Sequence, residues 1–282
     1  MIISGMHKRR YNFFRFLTLG GAFIFFFFAD LLLGSVIIPA GEVVSSLFSP
    51  DGVTDTFRTI IMEFRLPKAL TAVFTGAALS LSGLQMQTVF RNPLAGPYVL
   101  GISAGASLGV ALFVMGFSTV LSTTFMTVSG SLPMALVAWA GSLLVLLLVL
   151  YVSARVKDIM TILILGILFT SAVTAIVSIL QYFSNESLLK AFIIWTMGSL
   201  GSVTRSQLAV LIPAVCTGIL LGFIKIKDLN AFLLGENYAR SLGVSVIRSR
   251  MMIFLSTSLL AMPINPMGPQ KAVMVPASRL VL

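Results

Sequence analysis

The chain has 282 residues, 57% of them hydrophobic and 10% charged, with a mean hydropathy of +1.03. A soluble domain carries about 25% charged residues, so this composition excludes an ordinary water-soluble core and makes lipid part of the solvent. Lys and Arg number 19 against 9 Asp and Glu, and the lone cysteine and histidine, Cys216 and His7, exclude a disulfide framework and a Cys/His metal cluster.

The first fifteen residues form a basic arm ahead of an apolar run at 16–38. A signal peptide begins in a similar way, but this run is long enough to span and no small-residue cleavage site follows it. It predicts a retained first helix. Asp30 lies within it, and an ionisable residue in a span is a candidate for ion coupling or for a place near the interface. Further apolar runs cover residues 66–90, 100–120, 132–152, 159–183, 207–224 and 251–264. With about 20 residues needed per crossing, the chain reads as about seven spans, an all-α polytopic bundle.

Small residues recur at helical spacing, as Gly76 with Ser80 and as Gly101, Gly105 and Gly109. Such faces let helix backbones approach closely, within one chain or across a dimer. Gly101-Ile102-Ser103-Ala104-Gly105 matches the G-x-S-x-G pattern of hydrolase elbows. That motif needs a strand–turn–helix setting with a histidine and an acid, and here it falls in an apolar run far from His7. The hydrophilic stretch 225–250 predicts two short helices. Leu229, Phe232 and Leu233 give the first an apolar face, and Gly235 breaks it. Glu236 suits a helix start, Arg240 a last turn, and Gly243 after Leu242 a C-terminal cap. A compact helical pair of this kind is a docking surface for another protein.

The loops set an orientation. With the N-terminus inside, the inner segments hold Lys8, Arg9, Arg10, Arg15, Arg91, Arg155, Lys157, Lys225, Lys227, Arg240, Arg248 and Arg250, beside only Asp158, Asp228 and Glu236. The outer ones hold Glu42, Asp51, Asp55, Glu63 and Glu186 against Arg58, Arg65, Lys68, Lys190 and Arg205. This is the positive-inside pattern, so the net charge of +10 reflects topology and calls for no nucleic acid. No G-x-x-x-x-G-K-[ST] loop occurs. ATP-driven transport would therefore place the nucleotide on a separate subunit.

Three blocks make the chain resemble the permease family that imports iron–siderophore complexes, haem and vitamin B12 in bacteria. The first runs from Arg65-Leu66-Pro67-Lys68 through Gly76-Ala77-Ala78-Leu79-Ser80-Leu81-Ser82-Gly83, Gln85 and Asn92-Pro93-Leu94-Ala95 to Leu100-Gly101-Ile102-Ser103-Ala104-Gly105-Ala106. The second is Leu165-Gly166 with Trp195-Thr196-Met197-Gly198-Ser199-Leu200. The third is Leu234-Gly235-Glu236, Ala239 and Leu242-Gly243-Val244.

The resemblance implies the type II importer permease fold, with ten helices per subunit and two copies forming a pathway along the dimer axis. It implies an ATPase dimer, with its own ATP and Mg, docked on the loop at 225–250, where Leu234, Gly235, Glu236, Ala239, Arg240, Leu242 and Gly243 form the coupling element. The permease itself is then no enzyme and binds no cofactor. Arg65 and Lys68 stand where the family has an Arg-Leu-Pro-Arg block that receives acidic residues of a substrate-binding protein. Lysine keeps the charge there but lacks the bidentate fork. The helix at 159–183 would line the pathway, with Asp158, Ile159 and Met160 as its inner gate. The location implied is the bacterial inner membrane.

The family continues with a Gly-Pro-Ile-x-Phe-x-Gly block and a Pro-His-x-x-Arg block, followed by further helices. Here residues 268–279 read GPQKAVMVPASR, and Leu282 is the last residue. The expectation is a single permease domain whose tail at 262–282 is atypical and which lacks about three of the ten helices. An ion-coupled secondary transporter is the alternative reading. It would show broken helices in matching halves and polar sites at the midplane, and the chain shows neither.

Overall fold

The computed structural model describes residues 2–48, 55–116, 132–156, 158–198, 203 and 205–261, and among them no β-strand occurs. The helices are α1 (Ile2–Leu32), α2 (Ala40–Phe48), α3 (Asp55–Thr59), α4 (Leu66–Phe90), α5 (Ile102–Ala111), α6 (Leu132–Arg155), α7 (Ile159–Tyr182), α8 (Glu186–Met197), α9 (Arg205–Ile224), α10 (Ile226–Leu233), α11 (Glu236–Ser241) and α12 (Val246–Ala261). Among the described residues, five stretches are long and apolar enough to cross a membrane: Phe13–Leu32, Asp55–Phe90, Met134–Arg155, Ile159–Tyr182 and Gln207–Ile224. A shorter apolar helix covers Ile102–Gly116. The chain is thus a multi-pass α-helical membrane protein. Backbone groups in lipid must be paired internally, which leaves helices as the form these runs adopt.

Each apolar run of the sequence holds a helix within its described part, but several boundaries move. The first helix ends at Leu32, not 38. Beyond it the chain turns through Pro39, whose carbonyl accepts from the amides of Glu42 and Val43 at 3.0 and 3.3 Å, and α2 begins. The helix leading to Phe90 begins at Asp55, before the Leu66 that hydropathy suggests, and Ile60–Arg65 within it is a π segment. Pro67 has no N–H to donate, and one wider turn ahead of it lets the helix continue through that gap. The final apolar run starts at Val246, since the polar residues Arg248, Ser249 and Arg250 are also helical. The tail at 262–282, with its altered family blocks, lies outside the described residues, as does Lys157.

The chain divides into two compact units, Met1–Leu70 and Thr71–Leu282. In the first, Leu31, Ile38, Val43, Ile61 and Ala69 form a small core, while Phe16, Leu17, Phe23, Ile24, Phe25 and Phe26 of α1 point outward. Outward apolar side chains suit a helix whose solvent is hydrocarbon.

In the second unit, Met86, Phe90, Leu100, Val145, Val149, Ile162, Phe232, Ala239, Ile253 and Phe254 share one core, with the Phe90 and Phe254 rings stacked at 5.9 Å. The glycine spacing is used inside the chain, between α5 and α6. A Cβ on Gly105 would lie 2.6 Å from the Gly141 carbonyl oxygen, and one on Gly109 would lie 2.6 Å from that of Val137. Only residues without a side chain permit so close an approach. A buried polar cluster crosses the same unit. Thr257 Oγ1 donates to Gln85 Oε1 at 2.7 Å, Gln85 Nε2 to Ser256 Oγ at 2.9 Å, and Ser256 Oγ to the Gly218 carbonyl at 2.7 Å. It ties α4, α9 and α12 together, as polar side chains do between helices in lipid.

Candidate functional site: the helical pair at 225–250 and its anchors

Within 225–250 the two predicted short helices form as α10 and α11, separated by Gly235, while residues 246–250 already belong to α12. Gly235 adopts φ +108°, a conformation that L side chains rarely take. Its Cα faces the Arg91 guanidinium, with Nη1 3.2 Å from where a Cβ would stand. Arg91 follows the last residue of α4, so the loop after α4 abuts the break between the two helices. Gly243 has φ +82°, and the Gly243 amide donates to the Arg240 carbonyl at 3.0 Å, closing α11.

One face of the pair is anchored. Ala231, Phe232 and Ala239 are buried in the core that contains Phe90 and Phe254, and Leu229 packs against it. The opposite face is open. Leu233, Leu234 and Leu242 are 61%, 64% and 60% exposed, and Tyr238 is 47% exposed. Leu233, placed by the sequence on one apolar face with Leu229 and Phe232, lies apart from them on the exposed side. Leu233, Leu234, Tyr238 and Leu242 therefore project as large, mainly apolar side chains beside Glu236 and Arg240. Those two pair along α11, Arg240 Nη2 to Glu236 Oε2 at 3.7 Å.

Two residues that the sequence reading passed over hold this element. Asp228 accepts from Lys225 Nζ at 2.9 Å and from Ser249 Oγ at 2.6 Å, joining the start of α10 to α12. Burial pushes its carboxyl up, but the hydrogen bonds from Lys225 and Ser249 outweigh it and hold the pKa below the ordinary carboxylate value. Arg250, 1% exposed, donates from Nε to Ser153 Oγ at 3.1 Å and from Nη2 to the carbonyls of Ser153 and Val156 at 2.8 and 2.7 Å. Its Nη1 lies 3.8 Å from Glu236 Oε1. The only sequence signal was polar residues placed where an apolar helix begins.

The residues 158–160 form the start of α7. Asp158 is its N-cap: one carboxylate oxygen accepts from the Met160 amide at 3.3 Å, the other from the Thr161 amide at 3.0 Å and the Thr161 hydroxyl at 2.7 Å. The Thr161 hydroxyl, then the two amides, hold this carboxyl below its ordinary pKa. Met160 is exposed, and Ile159 packs against the main core.

In the first unit, Arg65 is buried. Its Nη1 donates to the carbonyls of Leu31 and Leu32 at 2.7 and 2.9 Å, and Nη2 donates to the carbonyl of Val36. The guanidinium therefore serves the orphan carbonyls at the end of α1. Lys68 is exposed and pairs with Asp30 at 2.7 Å. Asp30, which lies in the first span, thus has a cationic partner. The G-x-S-x-G segment is preceded by a 3₁₀ turn at Pro97–Leu100 and not by a strand, which removes the hydrolase elbow.

The profile of the FecCD transport family matches residues 22–264. The hemin transport system permease HmuU of Yersinia pestis is 33% identical over 241 residues, covering 84% of this chain and 70% of its own length. The vitamin B12 import system permease BtuC of Vibrio parahaemolyticus is 35% identical over 239 residues, covering 82% and 66%. A protein classed as a metal-chelate type ABC transporter, solved in an inward-facing conformation, superposes with a TM-score of 0.71 at 27% identity, covering 90% of this chain and 75% of that one. The chain accordingly spans about two thirds of the length of these relatives. With the match extending over most of its residues, and with an all-α fold to agree, this chain belongs to the FecCD transport family.

Proposed function

We propose that the chain is the membrane-spanning permease subunit of an ATP-binding-cassette importer in the bacterial inner membrane, moving an iron chelate, haem or cobalamin. The observation that carries this is the helical pair α10–α11, buried on one side and presenting Leu233, Leu234, Tyr238 and Leu242 on the other. In this reading the exposed side receives an ATPase that holds ATP and Mg, and the permease adds no covalent chemistry. Leu234, Gly235, Glu236, Ala239, Arg240, Leu242 and Gly243 form the coupling element. Gly235 and Ala239 shape it, and the others meet the partner.

The same reading gives the remaining sites their roles. Two copies form the pathway, lined by α7, with Asp158, Ile159 and Met160 at its inner gate. Lys68, exposed, meets the acidic residues of a substrate-binding protein, and Arg65 positions that segment by holding the end of α1. The N-terminus is cytoplasmic, in keeping with the distribution of Lys and Arg. ATP binding and hydrolysis on the partner drive alternating access by favouring one state over the other. The chemistry of the solute is read by the binding protein.

Co-expression with an ATPase that carries a G-x-x-x-x-G-K-[ST] loop tests the reading. The partner should co-purify with the chain. Joint charge reversal, Glu236→Lys with Arg240→Glu, should weaken retention about tenfold, equivalent to about 1.4 kcal/mol. Retention unchanged by that substitution would remove the coupling assignment.

A further inference from the structure

We infer that Arg250 is the positioning residue that joins the coupling helices to the inner gate; the inference rests on the permease reading above. One buried side chain on α12 touches two other elements. Its Nη1 faces Glu236 of α11, and its Nε and Nη2 hold Ser153 and Val156, the last turn of α6 and the residue just beyond it. Val156 is two residues from Asp158, the cap that starts α7. Burial is the largest influence against the ionised guanidinium, and the charge of Arg240 adds to it, while the charges of Glu236 and Asp158 oppose both.

The physical chemistry of guanidinium makes this a link and not only a fastening. The group is planar and presents its donors in a fixed fork, so its partners cannot be displaced one at a time without turning the others. Its contacts with the carbonyls of Ser153 and Val156 satisfy orphan acceptors at a helix C-terminus, where a cation is also favoured by the dipole. Its counter-charge is on a different element. Glu236 divides its two oxygens between the exposed Arg240 and the buried Arg250. A partner that engages Arg240 or Glu236 from outside thereby changes the charge facing Arg250. A buried cation left short of its acid is costly, so the guanidinium follows the carboxylate and carries residues 153–156 with it. Those residues lead directly into the gate.

The test uses the full chain with its ATPase in nanodiscs, with Cys216→Ser and an environment-sensitive fluorophore on Met160→Cys. In the otherwise unsubstituted complex, ATP should shift the emission of the reporter. Arg250→Lys keeps the charge and loses the fork. It should retain the ATPase yet lose the ATP-dependent shift, a separation that general destabilisation would not produce. If Arg250→Lys fails to fold, Glu236→Gln keeps Arg250 and its backbone contacts and should also lose the shift. A full shift in either folded variant overturns the proposal. Retention of the ATPase without any shift in the unsubstituted chain overturns it while leaving the permease reading in place. Failure to retain the ATPase at all overturns both.

Discussion

Two buried arginines, one in each compact unit, serve the end of a transmembrane helix in different ways. Arg65 gives its donors to three backbone carbonyls at and beyond the end of α1, all within the Leu31–Val36 stretch. Arg250 serves two carbonyls and a hydroxyl at the end of α6, and in addition faces a carboxylate on α11. Among the described residues, Arg65 is held by backbone carbonyls of one short stretch and by no carboxylate, so it is a static clamp. A carboxylate on a short surface helix can be engaged from outside, so Arg250 answers to a partner. Similar capping chemistry therefore gives a structural role in one unit and a linking role in the other.

The largest effect that separates the two falls on stability. Arg65→Met should lower the unfolding free energy by about 3 kcal/mol, since each buried acceptor left unserved costs about 1–3 kcal/mol. Denaturation in mixed micelles measures it, and retention of the ATPase by the folded fraction should not change. Loss of the ATPase from folded Arg65→Met chain would erase the contrast between the clamps. A smaller effect is expected next to the first clamp. Lys68 and Asp30 are each about a third or more exposed, so Lys68→Ala should cost at most about 1 kcal/mol. The same substitution should weaken capture of the substrate-binding protein in a pull-down, which separates its proposed docking role from a stabilising one.

The smallest effect is a dependence on pH beside the second clamp. Asp158 has its pKa lowered from 3.8 in the folded chain, so it contributes stability that is fully present above that value. The contribution fades only as pH falls through the lower folded value. Thermal midpoints should therefore be insensitive to Asp158→Asn substitution as pH changes at neutrality, and the difference between variant and parent should shrink in strong acid. A difference that changed between pH 6 and 8 would contradict the capping geometry.

Much of this was legible in the sequence because membrane helices are written in long apolar runs, and the break at Gly235 in a residue type. The helical pair and its cap at Gly243 followed from those signals. What was missed depends on contacts across the chain. Arg250 and Ser153 are 97 positions apart, and Gln85 and Thr257 are 172 apart. A periodicity confined to one helix carries no trace of such pairs. Arg65 shows the same limit in reverse: its charge suggested an exposed contact, and only the return of the chain at residues 33–39 reveals the carbonyls that bury it. The early end of α1 was hidden for a related reason, because residues 33–38 are as apolar as a helix would be while their carbonyls are partly satisfied by a side chain.

The central claim is that the exposed side of α10–α11 is where the ATPase sits. Site-directed cross-linking tests it most directly. In the Cys216→Ser background, Leu242→Cys should form a cross-link to cysteines introduced on the ATPase surface, whereas Leu220→Cys, equally exposed but on the membrane-spanning α9, should not. Absence of a cross-link at Leu242, or equal cross-linking at both positions, would contradict it.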